Sequence, residues 1–232
     1  MKHAAQLILC LALLSGCQAS GIRGYWNNVP LLEKDIRISE DRFADFAEAA
    51  AAADTRDALA AIDGLFDRLC RDTLAYYVYS DWIDGAFYNL YSPCRSAALY
   101  SKAVDRIITD AILQTDECAP FLQRKQWINF NQPGEKACVP GHPYFDQRTL
   151  VLVMDLGCPS CRSSLAKISS SPEWADCHHL AVGIGPGALA TPPDWEFISS
   201  GNVKSVFDPD LTPIFFIVAD DGTVEKGYTL AL

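Results

Sequence analysis

Two cysteines, Cys158 and Cys161, stand one helical turn apart in the stretch LVLVMDLGCPSCRSSLAKI, with Pro159 and Ser160 between them. Thiols at that spacing support three kinds of chemistry: a dithiol/disulfide cycle, half of a metal site, or a small structural bridge. The continuous apolar run TLVLVMD (149–155) reads as a buried strand. A helix is expected to start near Pro159, whose missing N–H costs nothing in a first turn. The unpaired N–H groups and positive dipole end at that helix mouth stabilise a thiolate, so Cys158 should have the lower pKa of the pair. The i, i+3 spacing keeps both sulfurs on one side of the turn, within bridging distance. On that geometry Cys158 attacks and Cys161, one turn deeper, resolves.

Other residues compete for attention. Cys158 and Cys161 together with Cys177, His178 and His179 would make a thiolate–imidazole set for zinc or copper. The plainer reading of His178 and His179 is a surface or capping role, and of His142 a solvated loop side chain. The aromatic run YYVYSDWIDGAFYNLY (76–91) reads as the core of a helical domain, with Asp81 and Asp84 on its wet side.

The elements that must position these residues divide into two regions. From Ile38 to about Trp127 the apolar spacing is helical. Phe43, Phe46, Ala47 and Ala50 share one face, Leu59, Ile62, Phe66 and Leu69 a second, and Tyr100, Val104, Ile107, Ile108 and Ala111 a third. Asp54 and Thr55 read as the cap between the first two helices, and Pro93 breaks the chain before the third. The segment NQPGEKACVPGHPYF (131–145) is an irregular lead-in rich in proline and glycine. Beyond it the pattern becomes strand, helix, strand LAVGIG (180–185), then a hairpin turning at Asp221-Gly222. The fold class expected is an α+β two-part chain: an N-terminal α-helical domain over 25–130, then an α/β domain with a mixed sheet over 131–232.

The first residues read as a targeting segment. Lys2 supplies the positive start, AAQLILCLALL the apolar run, and LSGC (14–17) the ending. That run is too short to cross a bilayer comfortably. The segment 1–17 resembles a bacterial lipoprotein signal with its lipobox, which implies acylation of Cys17 and a lipid-anchored protein of the cell envelope facing the periplasm. Export permits disulfides. Seven cysteines, 70, 94, 118, 138, 158, 161 and 177, remain after Cys10 and Cys17, and spacing alone does not pair them. Lys plus Arg is 19 against 29 Asp plus Glu, a net charge of -10, which disfavours nucleic acid as a partner.

Strand, CPSC, helix, then LTPIFFIVADDGTV from Leu211 resembles the thioredoxin-like fold, in particular its envelope-anchored TlpA-like branch. The resemblance implies a thiol-disulfide oxidoreductase with Cys158 and Cys161 as the catalytic pair and no cofactor. It implies a cis-proline at Thr212-Pro213 facing the pair, where Thr212 offers backbone hydrogen bonds to an extended substrate. It also implies client proteins with thiols or disulfides, and a membrane redox donor or acceptor. The metal reading weakens within this fold, because the strand after CHH begins at the sheet end away from the pair. There are departures: the family's buried acid or Asn is Leu152, its tryptophan before the first cysteine is Gly157, and the nearer Asp155 does not inherit the acid's role. The front half, through GYWNNVPL, FADFAEAA, NLYSPCRSAALY and PGEKA, is similar to a helical domain of unknown function that precedes thioredoxin-like modules in envelope lipoproteins. A different class stays open: a non-catalytic binding or scaffold lipoprotein whose CPSC is a structural bridge. Reductase, oxidase and isomerase are not separated by these residues, nor is the client or the membrane leaflet.

Overall fold

The structure is a computed structural model that describes residues 21–185 and 192–230. The expected signal segment and Cys17 lie outside the described residues. By their internal contacts the residues form two compact units, one of residues up to 87 with 92–118, the other of 88–91 with 119 onward. The expected join lay after residue 130.

Among the described residues of the first unit, the helices are α1 (Ile36–Ala52), α2 (Thr55–Leu69), α3 (Thr73–Ile83) and α4 (Ala97–Asp110), followed by the start of α5 (Thr115–Ile128). Each of the first four begins at a short polar side chain that accepts from an otherwise orphaned backbone N–H. Asp35 takes Arg37 N, Asp54 takes Arg56 N, Asp72 takes Ala75 N and Ser96 takes Leu99 N. The predicted faces of α1 and α2 are the buried ones, with one exchange. Leu59 is only half-buried, while Leu65, three residues after Ile62 and four before Leu69, takes the core position. In α4, Tyr100, Val104 and Ile107 are buried, but Ile108 is exposed and Ala111 caps the helix in the left-handed region at φ 53°.

Most of the aromatic run is core, as its density suggests: Tyr76, Tyr79 and Phe87 are buried, whereas Tyr77 and Tyr91 lie at the surface. The Tyr79 hydroxyl donates to Leu31 O at 2.7 Å, which satisfies its one polar group inside an apolar setting. Asp84 is not simply on the wet side, since it accepts the Tyr100 hydroxyl at 2.7 Å. Arg106 ties α4 to α2 through Asp63 at 3.2 Å and Asp67 at 2.9 Å, and pairs within its own helix with Asp110 at 3.2 Å. A partly buried guanidinium sharing three carboxylates fixes helix register more than it adds stability.

In the second unit a five-stranded mixed sheet has the order β3-β2-β1-β4-β5. The strands are β1 (Thr149–Asp155), β2 (His178–Ile184), β3 (Trp195–Ser199), β4 (Ile214–Val218) and β5 (Val224–Leu230), and helix α6 (Pro159–Ser169) crosses from β1 to β2. Strands β1, β2 and β3 are parallel, while β4 runs antiparallel to β1 and β5 antiparallel to β4. The mixed sheet following the helices is the predicted fold class. Two details differ. Strand β2 begins at His178, two residues before the predicted start, and β3 was not foreseen. Its sequence WEFIS follows Pro192-Pro193 and alternates weakly, as suits an edge strand that pairs on one side only.

Helix α6 and Trp195 cover one face of the sheet, around Leu152, Cys161, Leu165, Phe215 and Ile217. The other face packs Val151, Val153, Leu180, Val182, Phe207 and Phe216 against Leu90, Phe130 and Phe145. On that side the buried Asp208 accepts the Tyr88 hydroxyl at 2.6 Å. The lead-in lies along the final hairpin, with Gly134 N donating to Val224 O and Ala137 N to Gly222 O, both at 2.9 Å. Gly222 supplies the positive φ of 83° that the hairpin turn needs.

Candidate active site

Strand β1 ends at Asp155, and its side chain shapes the turn that follows. Asp155 Oδ1 accepts Gly157 N at 2.8 Å, and its carbonyl accepts Cys158 N at 3.1 Å. This places Cys158 as the N-cap of α6, with extended backbone (φ −87°, ψ 120°) and Pro159 in the first turn. The Cys158 thiol is half-exposed and Cys161 is fully buried beneath it.

The two sulfurs are held in opposite electrostatic states. Cys158 is shifted below the usual thiol range, first by the Ser160 hydroxyl and then by the N–H of Cys161. Ser160 Oγ lies 2.7 Å from Cys158 Sγ. The helix mouth contributes as expected, but the largest cause is the Ser160 hydroxyl, which the sequence placed between the cysteines without marking it as a donor to Cys158. A hydroxyl two residues after an N-cap thiol was the available signal. Cys161 is pushed up to about 11, first by burial and then by its neighbour Cys158. The Asp155 N–H and the Thr212 hydroxyl work against that rise.

The peptide bond Thr212-Pro213 is cis. Thr212 meets the cysteine pair through its hydroxyl, which donates to Pro209 O at 2.9 Å or, rotated, to Cys161 Sγ. One rotor serves one acceptor at a time. Cys158, Cys161 and Thr212 therefore share one place, with Pro213 next along the chain. Leu152 is buried in the apolar layer that surrounds Cys161, so its position supplies no carboxylate to the resolving thiol. Asp155 is engaged with the Gly157 N–H.

The alternative metal set is not assembled. His178 and His179 open β2 at the end of the sheet opposite the β1–α6 turn, and their side chains leave opposite faces of the strand. His179 stacks on Trp195 at 4.8 Å and shares a hydrogen bond at 3.0 Å with Trp174 O, the last carbonyl of the short 3-10 turn Pro172–Trp174. It is therefore buried rather than superficial and takes the capping role. Cys177 Sγ accepts from Arg148 Nη1 at 3.3 Å, and burial raises its pKa. His142 is not solvated either: its ring packs on Phe145 at 4.7 Å.

Among solved structures the chain is similar to a thioredoxin-like protein from Bacteroides caccae ATCC 43185, with TM-score 0.71 and 18% identity over 89% of this chain and 86% of that one. The fold is thioredoxin-like. Two other matches have too little overlap to carry argument. The C-terminal domain of an uncharacterized protein from Bacteroides fragilis NCTC 9343 gives TM-score 0.35 at 16% identity, over 42% of this chain and 89% of that one. The thioredoxin domain of a thiol-disulfide oxidoreductase from Bacteroides vulgatus gives 0.24 at 15%, over 35% and 69%. No family model and no curated protein matches the sequence. At these identities the likeness concerns fold, and the chemistry rests on the residues.

Removing the hydroxyl tests the largest cause of the Cys158 shift. Ser160→Ala should raise the Cys158 pKa and slow its alkylation by iodoacetamide several-fold at neutral pH, with the two proteins converging in strong alkali. Equal pH–rate profiles would show that Ser160 does not hold the thiolate.

Proposed function

We propose that this protein is a thiol-disulfide oxidoreductase of the bacterial cell envelope, anchored by lipid on Cys17. The observation that carries the reading is the asymmetry of the pair: an accessible thiol held below the usual range beside a buried one pushed up to about 11. A purely structural bridge has no use for a stabilised thiolate on its outer sulfur.

The steps balance with two thiols and one client disulfide. The Cys158 thiolate attacks one client sulfur, forming a mixed disulfide and expelling the other client sulfur as a thiolate. Cys161 then loses its proton, and its sulfur attacks Cys158 Sγ. The Cys158–Cys161 bond forms while the second client thiolate leaves. The client gains two electrons and the pair loses two, so an external dithiol must reduce the pair before the next turn. With an external oxidant the same steps run in reverse. Thr212 and Pro213 line the approach to Cys158, where an extended client backbone pairs with the chain as an added strand.

The second reading, a binding module with a structural bridge, draws on Leu152, because an apolar residue there leaves the resolving thiol without a carboxylate to take its proton. Equilibration of the full chain in glutathione buffers separates the two. An oxidoreductase pair titrates between dithiol and disulfide at a potential within the reach of glutathione, whereas a structural bridge stays oxidised below about −300 mV. The anchor has its own check, since mass spectrometry of the membrane fraction must find an acylated N-terminal Cys17.

A further inference from the structure

A second cluster of chemistry-bearing side chains lies at the other end of the sheet. His142, His178 and Glu196 each turn a ligand atom toward one point, and these atoms lie within 4.8 Å of one another. We propose that the three form a binding site for one borderline divalent cation of the zinc class.

Three separate pieces of chain build it. Val139-Pro140-Gly141-His142 is a tight turn, with His142 N donating to Val139 O at 3.0 Å and Gly141 at φ 89°. Proline then glycine is the pair such a turn demands, and it delivers His142 to the sheet. His178 is the first residue of β2, anchored by its N–H to Arg148 O at 2.9 Å. Glu196 sits on β3 opposite Leu180, which places it on the same face as His178, two residues before Leu180.

The donor set is the reason to assign a cation. Glu196 Oε2 lies 3.1 Å from His178 Nε2 and 3.6 Å from His142 Nε2. Among the described residues Glu196 has no Lys or Arg partner, so its charge is faced only by two imidazoles. The hydrogen bond to His178 accounts for one of them. The other is unexplained: the His142 side chain is 16% exposed, its Nε2 stands beyond hydrogen-bond distance from the carboxylate, and its buried Nδ1 has no partner. A polar ring enclosed without a hydrogen bond is costly. A cation taking both Nε2 lone pairs and one carboxylate oxygen would engage the Nε2 side of that ring, with the proton left on Nδ1, and would set a positive charge beside Glu196. Two neutral imidazoles and a carboxylate suit zinc or cobalt, with water completing a four-coordinate shell.

The site is distinct from the cysteine pair. Strand β1 runs seven residues from this end to the CPSC turn, roughly 20 Å of parallel strand. A cation here would clamp the lead-in turn to the start of β2 and to edge strand β3.

Cobalt reports the donor type as well as the affinity. The full chain, its accessible thiols blocked with N-ethylmaleimide, is titrated with Co²⁺ and separately dialysed against Zn²⁺ for metal analysis. One equivalent should bind with the visible d–d bands of four-coordinate Co²⁺ and no sulfur-to-cobalt charge transfer. His142→Ala, His178→Ala and Glu196→Gln should each weaken it by at least about 10-fold, the scale on which even outer partners of a metal ligand act. Cys158→Ser and Cys161→Ser should leave it intact. Glu196→Gln keeps the shape of a surface side chain, so it carries the test if a histidine variant fails to fold. Absence of bound metal at millimolar Co²⁺, or a bound equivalent with thiolate charge transfer that vanishes in the cysteine variants, overturns the proposal.

Discussion

Cys161→Ser, expressed in its native cells, is expected to accumulate covalent mixed disulfides with client proteins through Cys158. The outer thiolate still attacks, but the sulfur that should release the client is gone, so the reaction stalls halfway. Cys158→Ser should form no such adducts and should lose at least about 1,000-fold in disulfide reduction, as expected when a nucleophile is deleted. Non-reducing gels after rapid acid quench read both outcomes, and the double variant sets the background from the other thiols. If all three variants show the same adducts, Cys158 is not the attacking group. The contrast between the two single variants follows from depth, since one sulfur is half-exposed and the other has no solvent contact.

The second large effect is on pH. Cys161 must become a thiolate to resolve the mixed disulfide, and in the reduced pair it is pushed up to about 11, chiefly by burial. In the mixed disulfide the Cys158 charge is gone, but the burial remains, so the pKa stays raised above its ordinary value. Below its pKa the reactive fraction of a thiol grows tenfold for each unit of pH. The resolution rate should therefore climb close to tenfold per unit from pH 7 to pH 9, whereas the Cys158 attack, whose pKa is lowered chiefly by the Ser160 hydroxyl, should level off at a lower pH than the resolution step. Single-turnover stopped-flow with a chromogenic disulfide separates the two steps. A flat resolution profile would mean that some group takes the Cys161 proton despite the apolar Leu152.

The parts of this site that could be read in the sequence are those that local rules determine. The run TLVLVMD is apolar at nearly every position, which marks a strand covered on both faces, and it forms β1 at the predicted bounds. The CPSC turn follows from Pro159, which suits only the first turn of a helix. Ser160 was hidden because spacing says nothing of where a hydroxyl rotates. Strand β3 was hidden because an edge strand needs neither strong alternation nor an unbroken apolar run. The meeting of His142, His178 and Glu196 depends on one turn and on the register of two parallel strands, and no periodicity in the chain encodes it.

The bond from Tyr88 to Asp208 joins residues 120 positions apart, yet both belong to the second unit. Synthesis from the N-terminus makes Tyr88 and Leu90 long before the strands they will pack against exist. The second unit is thus stitched from two stretches of chain, and it can finish only after the ribosome has passed β4. Bringing such distant ends together carries a loop-closure cost that local helices do not face, so the helical unit can form first. For the same reason, a gene cut at residue 131 does not isolate the sheet. It leaves Tyr88, Leu90, Phe130 and the whole of α5 behind, and deprives buried Asp208 of the hydroxyl it accepts.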